Sequence, residues 1–143
     1  KPVLIADIVE MGSVHKGTGY LTLDESRVLS GETHRRPGLH VDGVGPDGGV
    51  GGWGGGGGYG ANGMLMTSTR GGCIAWHQTF EGWPKSDGDC SHMAGQLRRD
   101  AAVVLQPGVV YHCSPMTVHE AIPMEKDNYR CFVRMPDALR ILN

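Results

Sequence analysis

Two residues that could carry chemistry, His40 and Asp42, stand two positions apart in the segment "GLHVDG". On a β-strand, residues two apart point to the same face, so this imidazole and this carboxylate would lie side by side. Leu39 and Val41 would then face the other way. A buried charge is costly unless it is paired or bound to a metal ion. The spacing therefore predicts a metal site if this face points inward, although the tripeptide alone also arises by chance.

Two residues in the C-terminal third extend this pattern. His119 lies in the apolar segment "VHEAI", and Arg130 follows eleven residues later in "YRCFVRMP". Two histidines and one carboxylate form the facial triad that binds non-haem Fe(II) and leaves coordination positions open. A guanidinium beyond the second histidine could hold the carboxylate of a co-substrate in a bidentate pair. Arg134 shares the face of Arg130 and is the reserve candidate for that role.

The elements that must position these residues are short β-type segments, broken by Gly, Pro, Asn and Asp. Such a series predicts an all-β sandwich, barrel or jelly roll with few helices. The sequence "QPG" at 106–108 predicts a hairpin between two of the strands. Only 26–32 and 92–99 are candidate short helices. The predicted strands are 3–10, 19–23, 38–42, 64–69, 73–80, 101–105, 109–113, 118–122 and 129–135.

Length and composition narrow the class of protein. The 143 residues predict a single domain, 1–143, with a core of its own. The net charge of −2 and the lack of a basic stripe argue against nucleic-acid binding. No apolar run approaches the roughly 20 residues that span a bilayer, so we expect no membrane partner. The cysteines are widely spaced and form no CxxC pair, which favours free thiols.

The segment 43–63 is a low-complexity tract with five consecutive glycines at 54–58. A glycine run has no side chains to pack and is costly to order, so we expect a loop between strands. The loop could serve as a flap over a site, with Trp53 and Tyr59 as its only large side chains. Alternatively, the tract could pack between chains in an assembly.

The remaining histidines are not predicted to be metal ligands. His112 is predicted to be a packed or hydrogen-bonded core residue. His77 could line a pocket or be an ordinary strand histidine, and these two interpretations are about equal. His15, His34 and His92 lie in loop-like contexts and are predicted to be solvated.

With these residues in place, the sequence resembles the Fe(II)/2-oxoglutarate-dependent dioxygenases over roughly residues 38 to 135. The HxD motif, distal histidine and downstream arginine of that family match His40, Asp42, His119 and Arg130 in order and spacing. The resemblance implies a double-stranded β-helix, which is a jelly-roll, cupin-like fold. It also implies Fe(II) held by the two histidines and Asp42, and 2-oxoglutarate held by Arg130 or Arg134. The protein would hydroxylate a small-molecule or peptide substrate that the sequence does not identify.

Two other classes of function stay open. One is a cupin-like metal-binding protein that uses the same barrel without 2-oxoglutarate. The other is a non-catalytic jelly-roll protein in which the glycine-rich tract packs between subunits, so a homo-oligomer or a larger assembly is a further expectation. Iron content and the presence of filaments or rings would discriminate between these classes.

Overall fold

The computed structural model describes residues 21–42, 63–114 and 116–136. These residues form seven β-strands and two short 3₁₀ helices, Ser91–Gln96 and Arg99–Ala101. The all-β prediction is confirmed. No helix in the described part of the chain is long and apolar enough to cross a bilayer. The strands are β1 (Thr22–Val28), β2 (Met64–Ser68), β3 (Cys73–Trp76), β4 (Ala102–Val104), β5 (Tyr111–Cys113), β6 (His119–Ala121) and β7 (Asn128–Pro136).

The strands form two antiparallel sheets. The first sheet has the order β1-β7-β2-β5, and the second has the order β4-β3-β6. The second sheet is extended by isolated bridges, in which His40 pairs with His119 on one side and with Asp89 on the other. The chain around His40 therefore lies beside β6, as a fourth, very short strand would.

Apolar side chains pack in three layers around these sheets. Leu39 and Val41 are buried on the outer face of the second sheet, together with Trp76, Met93 and Val118. Because side chains alternate along extended chain, His40 and Asp42 face the opposite way, toward the first sheet. The layer between the sheets contains Met64, Met66, Ala75, Leu105, Cys113 and Phe132. The third layer, on the far face of the first sheet, contains Leu65, Val133 and Met135.

Most predicted strands within the described residues contain an observed strand, but three local predictions need correction. The predicted helix at 26–32 is wrong, because β1 continues to Val28 with alternating exposure. The predicted helix at 92–99 is a six-residue 3₁₀ helix, Ser91–Gln96, which ends before Leu97. The predicted strand at 38–42 is reduced to bridges. The predicted strand at 3–10 and most of the glycine-rich tract, 43–62, lie outside the described residues.

The predicted hairpin at 106–108 is also wrong. Strand β4 pairs with β3 in the second sheet, whereas β5 pairs with β2 in the first. The chain does turn here, since the Val109 N–H lies 3.4 Å from the Gln106 carbonyl and Gly108 has a φ of 77°. The turn residues thus predicted that the chain reverses direction here. The two strands that flank the turn nevertheless pair with strands of different sheets and not with each other.

The free-thiol prediction is confirmed. All four cysteines are free, and all four lie in the described residues.

Candidate metal and anion site

The register of the second sheet brings His40 and His119 together. Their backbones exchange two hydrogen bonds of 2.9 Å, so the two residues are directly opposite each other in an antiparallel pair. Such residues point to the same face, and the ring centroids are 4.4 Å apart. Asp42 follows two positions after His40 and joins them. One ligand atom from each of the three lies within 4.8 Å of the others.

Backbone carbonyls orient both imidazole rings. Nδ1 of His40 lies 2.6 Å from the Gly38 carbonyl, and Nδ1 of His119 lies 2.9 Å from the Thr117 carbonyl. A carbonyl only accepts, so each Nδ1 carries a proton, and Nε2 has its lone pair available whenever the ring is neutral. Metal-binding histidines have this arrangement, because the hydrogen bond behind the ring fixes its tautomer and orientation. In its neutral form, each ring can therefore bind a cation through Nε2.

The spacing within the cluster also suits an ion. Nε2 of His119 lies 3.5 Å from Oδ2 of Asp42. Adjacent ligands of an octahedral ion with bonds of ~2.1 Å are about 3 Å apart. Only a small contraction would therefore bring both groups into contact with one ion.

The carboxylate of Asp42 is held in its ionised form by its neighbours. Burial alone would raise the pKa of Asp42, but the hydrogen bond and charge of His119, followed by Arg134 and His40, hold it well below its usual range. Burial, together with the charge of His119, lowers the pKa of His40. Burial opposes protonation of His119 as well, yet the hydrogen bond and charge of Asp42 raise its pKa. Asp42 is thus ionised and favours a cation beside it.

Arg134 serves as the partner of the carboxylate. Its Nη1 donates to Oδ2 of Asp42 at 2.9 Å, and its side chain is 6% exposed. This ion pair links β7 of the first sheet to the segment that carries His40 and Asp42. The reserve arginine for anion binding is therefore engaged by Asp42.

Arg130 lies on the same face of β7 but has different neighbours. It is 2% exposed, and its Nη1 lies 2.9 Å from Nδ1 of His34 while its Nε lies 3.3 Å from the Arg70 carbonyl. Its guanidinium stands 5.6 Å from the ring centroid of Phe132. Within the described ranges, no carboxylate lies within the 4.0 Å of an ion pair with Arg130. Burial lowers the pKa of Arg130, but a guanidinium stays charged in proteins.

The two groups line one cleft of about 620 Å³, including its open mouth. Small residues on the side of the second sheet leave this space open, namely Gly72, Cys73 and Ala121. Burial raises the pKa of the Cys73 thiol to about 12, so this wall is neutral. The other lining residues are Arg35, Arg36, His40, Val41, Asp42, Met66, His119, Arg130, Phe132 and Arg134.

His34 is the site residue that sequence reasoning missed. It was expected to be solvated, and that prediction is wrong, since its side chain is 4% exposed. Its Nε2 lies 3.2 Å from Oδ1 of Asp24, and its Nδ1 meets Arg130. The segment "GETHRRPG" has the composition of a turn, and the partner on β7 lies 96 positions away. No local signal could have found this contact.

The other histidines in the described residues lie away from the cleft. His112 is exposed on β5, so the core prediction is wrong. His77 is exposed and does not line the cleft. His92 is exposed as predicted, with its Nε2 3.1 Å from the Trp83 carbonyl. His15 lies outside the described residues.

Comparison with protein-family models, with curated proteins and with solved structures found no match to this chain.

Proposed function

We propose that this protein is an Fe(II)/2-oxoglutarate-dependent oxygenase, built on a double-stranded β-helix, that hydroxylates a substrate still to be identified. The observation that carries the proposal is the pairing of two features in one cleft. A His-Asp-His cluster with oriented rings lies on one wall, and Arg130, a buried cation whose two hydrogen-bond acceptors are neutral, lies on the other. The first feature suits a divalent cation, and the second suits an anion.

The donor set fits the proposed metal. Two imidazole nitrogens and one carboxylate, with room for further ligands, are the ligands of non-haem Fe(II). His40, Asp42 and His119 would hold the ion. When bound, Fe(II) would supply the redox chemistry in which O₂ converts 2-oxoglutarate to succinate and CO₂ while the second oxygen atom converts a substrate C–H into C–OH.

The residues of the chain perform the binding and orientation. Arg130 would take the far carboxylate of 2-oxoglutarate, because a buried guanidinium gains most from an anion that compensates its charge. Arg134 keeps Asp42 ionised and limits its rotation through the 2.9 Å contact. Met66 and Phe132 provide apolar walls between the sheets, which reduce the access of water to the reacting groups.

Three measurements on the same preparation test the proposal. Calorimetric titration should show one site for Mn(II), used as a redox-stable stand-in for Fe(II). The Mn(II)-loaded protein should then bind 2-oxoglutarate, and with Fe(II), ascorbate and O₂ it should form succinate slowly even without substrate. Asp42→Ala should abolish all three signals, whereas His77→Ala, a change at an exposed histidine, should abolish none.

Metal binding without any affinity for 2-oxoglutarate would overturn the oxygenase proposal in favour of a cupin-like metal-binding protein. Absence of metal binding would favour a structural role instead.

A further inference from the structure

A chain of hydrogen bonds runs behind the proposed anion site and reaches the edge of the first sheet. Asp24 lies on β1, opposite Phe132 of β7. Its Oδ1 is 3.2 Å from Nε2 of His34, whose Nδ1 is 2.9 Å from Nη1 of Arg130. Asp24 is also paired with Arg35 at 2.5 Å, which fixes the carboxylate at the outer end of this series of hydrogen bonds.

Arg130 and Asp24, on either side of His34, determine the protonation state of its ring. A guanidinium can only donate, so Nδ1 of His34 must accept from Arg130. The proton of neutral His34 then sits on Nε2 and is donated to Asp24. Burial lowers the pKa of His34, with a further contribution from Arg130 that opposes the raising effect of Asp24. Neutral His34 is therefore the form that satisfies both of its neighbours.

This arrangement leaves one side of Arg130 available. Of its five N–H donors, Nε–H faces the Arg70 carbonyl and one Nη1 hydrogen faces His34. Within the described residues, one hydrogen of Nη1 and both hydrogens of Nη2 have no further partner. One hydrogen from each of these two nitrogens would make an end-on fork, which can bind a carboxylate bidentately. Gly72 packs against the other side of the group, since a Cβ there would lie 3.6 Å from Nε and 3.8 Å from the guanidinium carbon.

The loop that carries His34 is itself anchored. The Gly31 N–H donates to the Met124 carbonyl at 2.8 Å, and the Met124 N–H donates to the Glu32 carbonyl at 2.9 Å. These bonds attach the loop to the connection between β6 and β7, close to the Arg130 end of the cleft. The Nδ1 acceptor of His34 therefore belongs to a loop that backbone hydrogen bonds hold in place.

We propose that His34 is a positioning residue for anion recognition: it holds the guanidinium of Arg130 in one plane, so that the end-on fork faces a dicarboxylate co-substrate. The inference rests on the proposed function, because it assumes that the anion is the far carboxylate of 2-oxoglutarate. Its energetic basis is preorganisation. An arginine already held in one rotamer loses less conformational freedom when the anion binds.

The test compares two 2-oxo acids on Mn(II)-loaded protein by calorimetric titration. 2-Oxoglutarate has the far carboxylate, whereas 2-oxopentanoate has a methyl group in its place and can use only the metal end. In His34→Leu, the affinity for 2-oxoglutarate should fall about tenfold, as expected for a lost hydrogen bond to a charged group. The affinity for 2-oxopentanoate and for Mn(II) should be unchanged. His34→Asn keeps an acceptor near the position of Nδ1 and should restore most of the affinity for 2-oxoglutarate.

The outcomes separate this inference from the function on which it rests. If the unaltered protein prefers 2-oxoglutarate and both His34 variants keep the full preference, the positioning role is wrong and the proposed function stands. Equal losses for both 2-oxo acids would also reject it, because they would indicate a general change of the cleft. If the unaltered, Mn(II)-loaded protein binds neither acid, the proposed function itself fails. His77→Leu, the same substitution at an exposed histidine, is the matched control.

Discussion

The two ends of the inner face of β7 each present one arginine, and the two arginines have opposite surroundings. Arg134 is 5% exposed and donates to the carboxylate of Asp42. Arg130 is 2% exposed and donates to an imidazole and a backbone carbonyl. Residue type, strand and burial are similar at both ends, whereas the acceptors differ: a carboxylate for Arg134, and neutral groups for Arg130.

The difference separates a charge that the chain itself compensates from one that we propose a ligand compensates. Asp42 compensates the charge of Arg134 within the chain. Removal of either partner would leave the other charge buried without compensation, so its desolvation would be costly. The acceptors of Arg130 are dipoles, which satisfy its hydrogens without cancelling its charge. A ligand anion would complete the second arrangement, whereas the first contains its own anion already.

The largest effect should come from breaking the ion pair at the Arg134 end. Arg134→Met should lower the free energy of unfolding by about 3 kcal/mol, because it leaves Asp42 buried without its cation. Arg130→Met should change it by less than about 1 kcal/mol, since lost hydrogen bonds are offset by the removal of a buried cation. Urea unfolding in the presence of EDTA measures both.

A divalent metal sharpens this contrast. Saturating Mn(II) should recover part of the loss in Arg134→Met, because the ion would compensate Asp42, and should recover nothing specific in Arg130→Met. Equal destabilisation of both variants, with and without metal, would show that the two arginines do not differ as proposed.

The second effect concerns the cluster itself. Loss of one ligand in His119→Ala should weaken Mn(II) binding by at least about 100-fold, the upper end of what is lost when only a group behind a ligand is removed. His112→Ala, a change at an exposed histidine on β5, is the matched control and should bind Mn(II) as the unaltered protein does. Comparable Mn(II) affinities in the two variants would show that the ion does not bind at this cluster.

The wall of the cleft that carries His40, Asp42 and His119 could be predicted from the sequence because most of its signals are local. The alternation of "GLHVDG" predicted which side chains share a face, and the core packing of Leu39 and Val41 confirms it. The remaining partner, His119, lay in a segment with a clear strand signal. What the sequence did not contain was the register, which places His40 and His119 opposite each other.

The wall that carries Arg130 was only half predictable, because the residues that contact Arg130 come from distant segments. Arg130 follows from its place on β7, but His34 and Asp24 do not. The segment "TLDESRV" contains three charged residues, Asp24, Glu25 and Arg27, so the strand signal of β1 is weak and its end is open to interpretation as a helix. Only its pairing as the edge strand beside β7 places Asp24 beneath His34. Similarly, the sequence makes Arg134 a candidate anion ligand, because nothing local shows that Asp42 contacts it.

The third effect isolates the co-substrate from the metal. Arg130→Met should weaken the binding of 2-oxoglutarate to Mn(II)-loaded protein about 10- to 100-fold, as expected for a lost charge-assisted contact. Mn(II) affinity should stay within about twofold, because Arg130 contacts none of the three proposed ligands and the metal interaction is independent of it. A parallel loss of both affinities would indicate damage to the fold, which the unfolding data on the same variant would reveal.

The smallest effect is a pH dependence that originates in His34. Its pKa in the folded protein is lowered from 6.5, so the unfolded chain binds the proton more readily. The stability that depends on neutral His34 is then fully present above pH 6.5 and is lost as the pH falls below that value toward the lowered pKa. Protonation would also turn Nδ1 into a donor that faces Arg130, while Asp24 and Arg35 are the other charged groups beside the ring.

Comparison of the unaltered protein with His34→Asn, in EDTA between pH 7.5 and 5.5, measures this contribution. The asparagine side chain of the variant does not titrate, and the titration of His40 and His119 is common to both proteins, so it cancels in the difference. The unaltered protein should lose more stability on acidification, by no more than about 1.4 kcal/mol per pH unit, the limit for one proton. Parallel pH profiles would mean that His34 keeps an ordinary pKa and is not held neutral between Asp24 and Arg130.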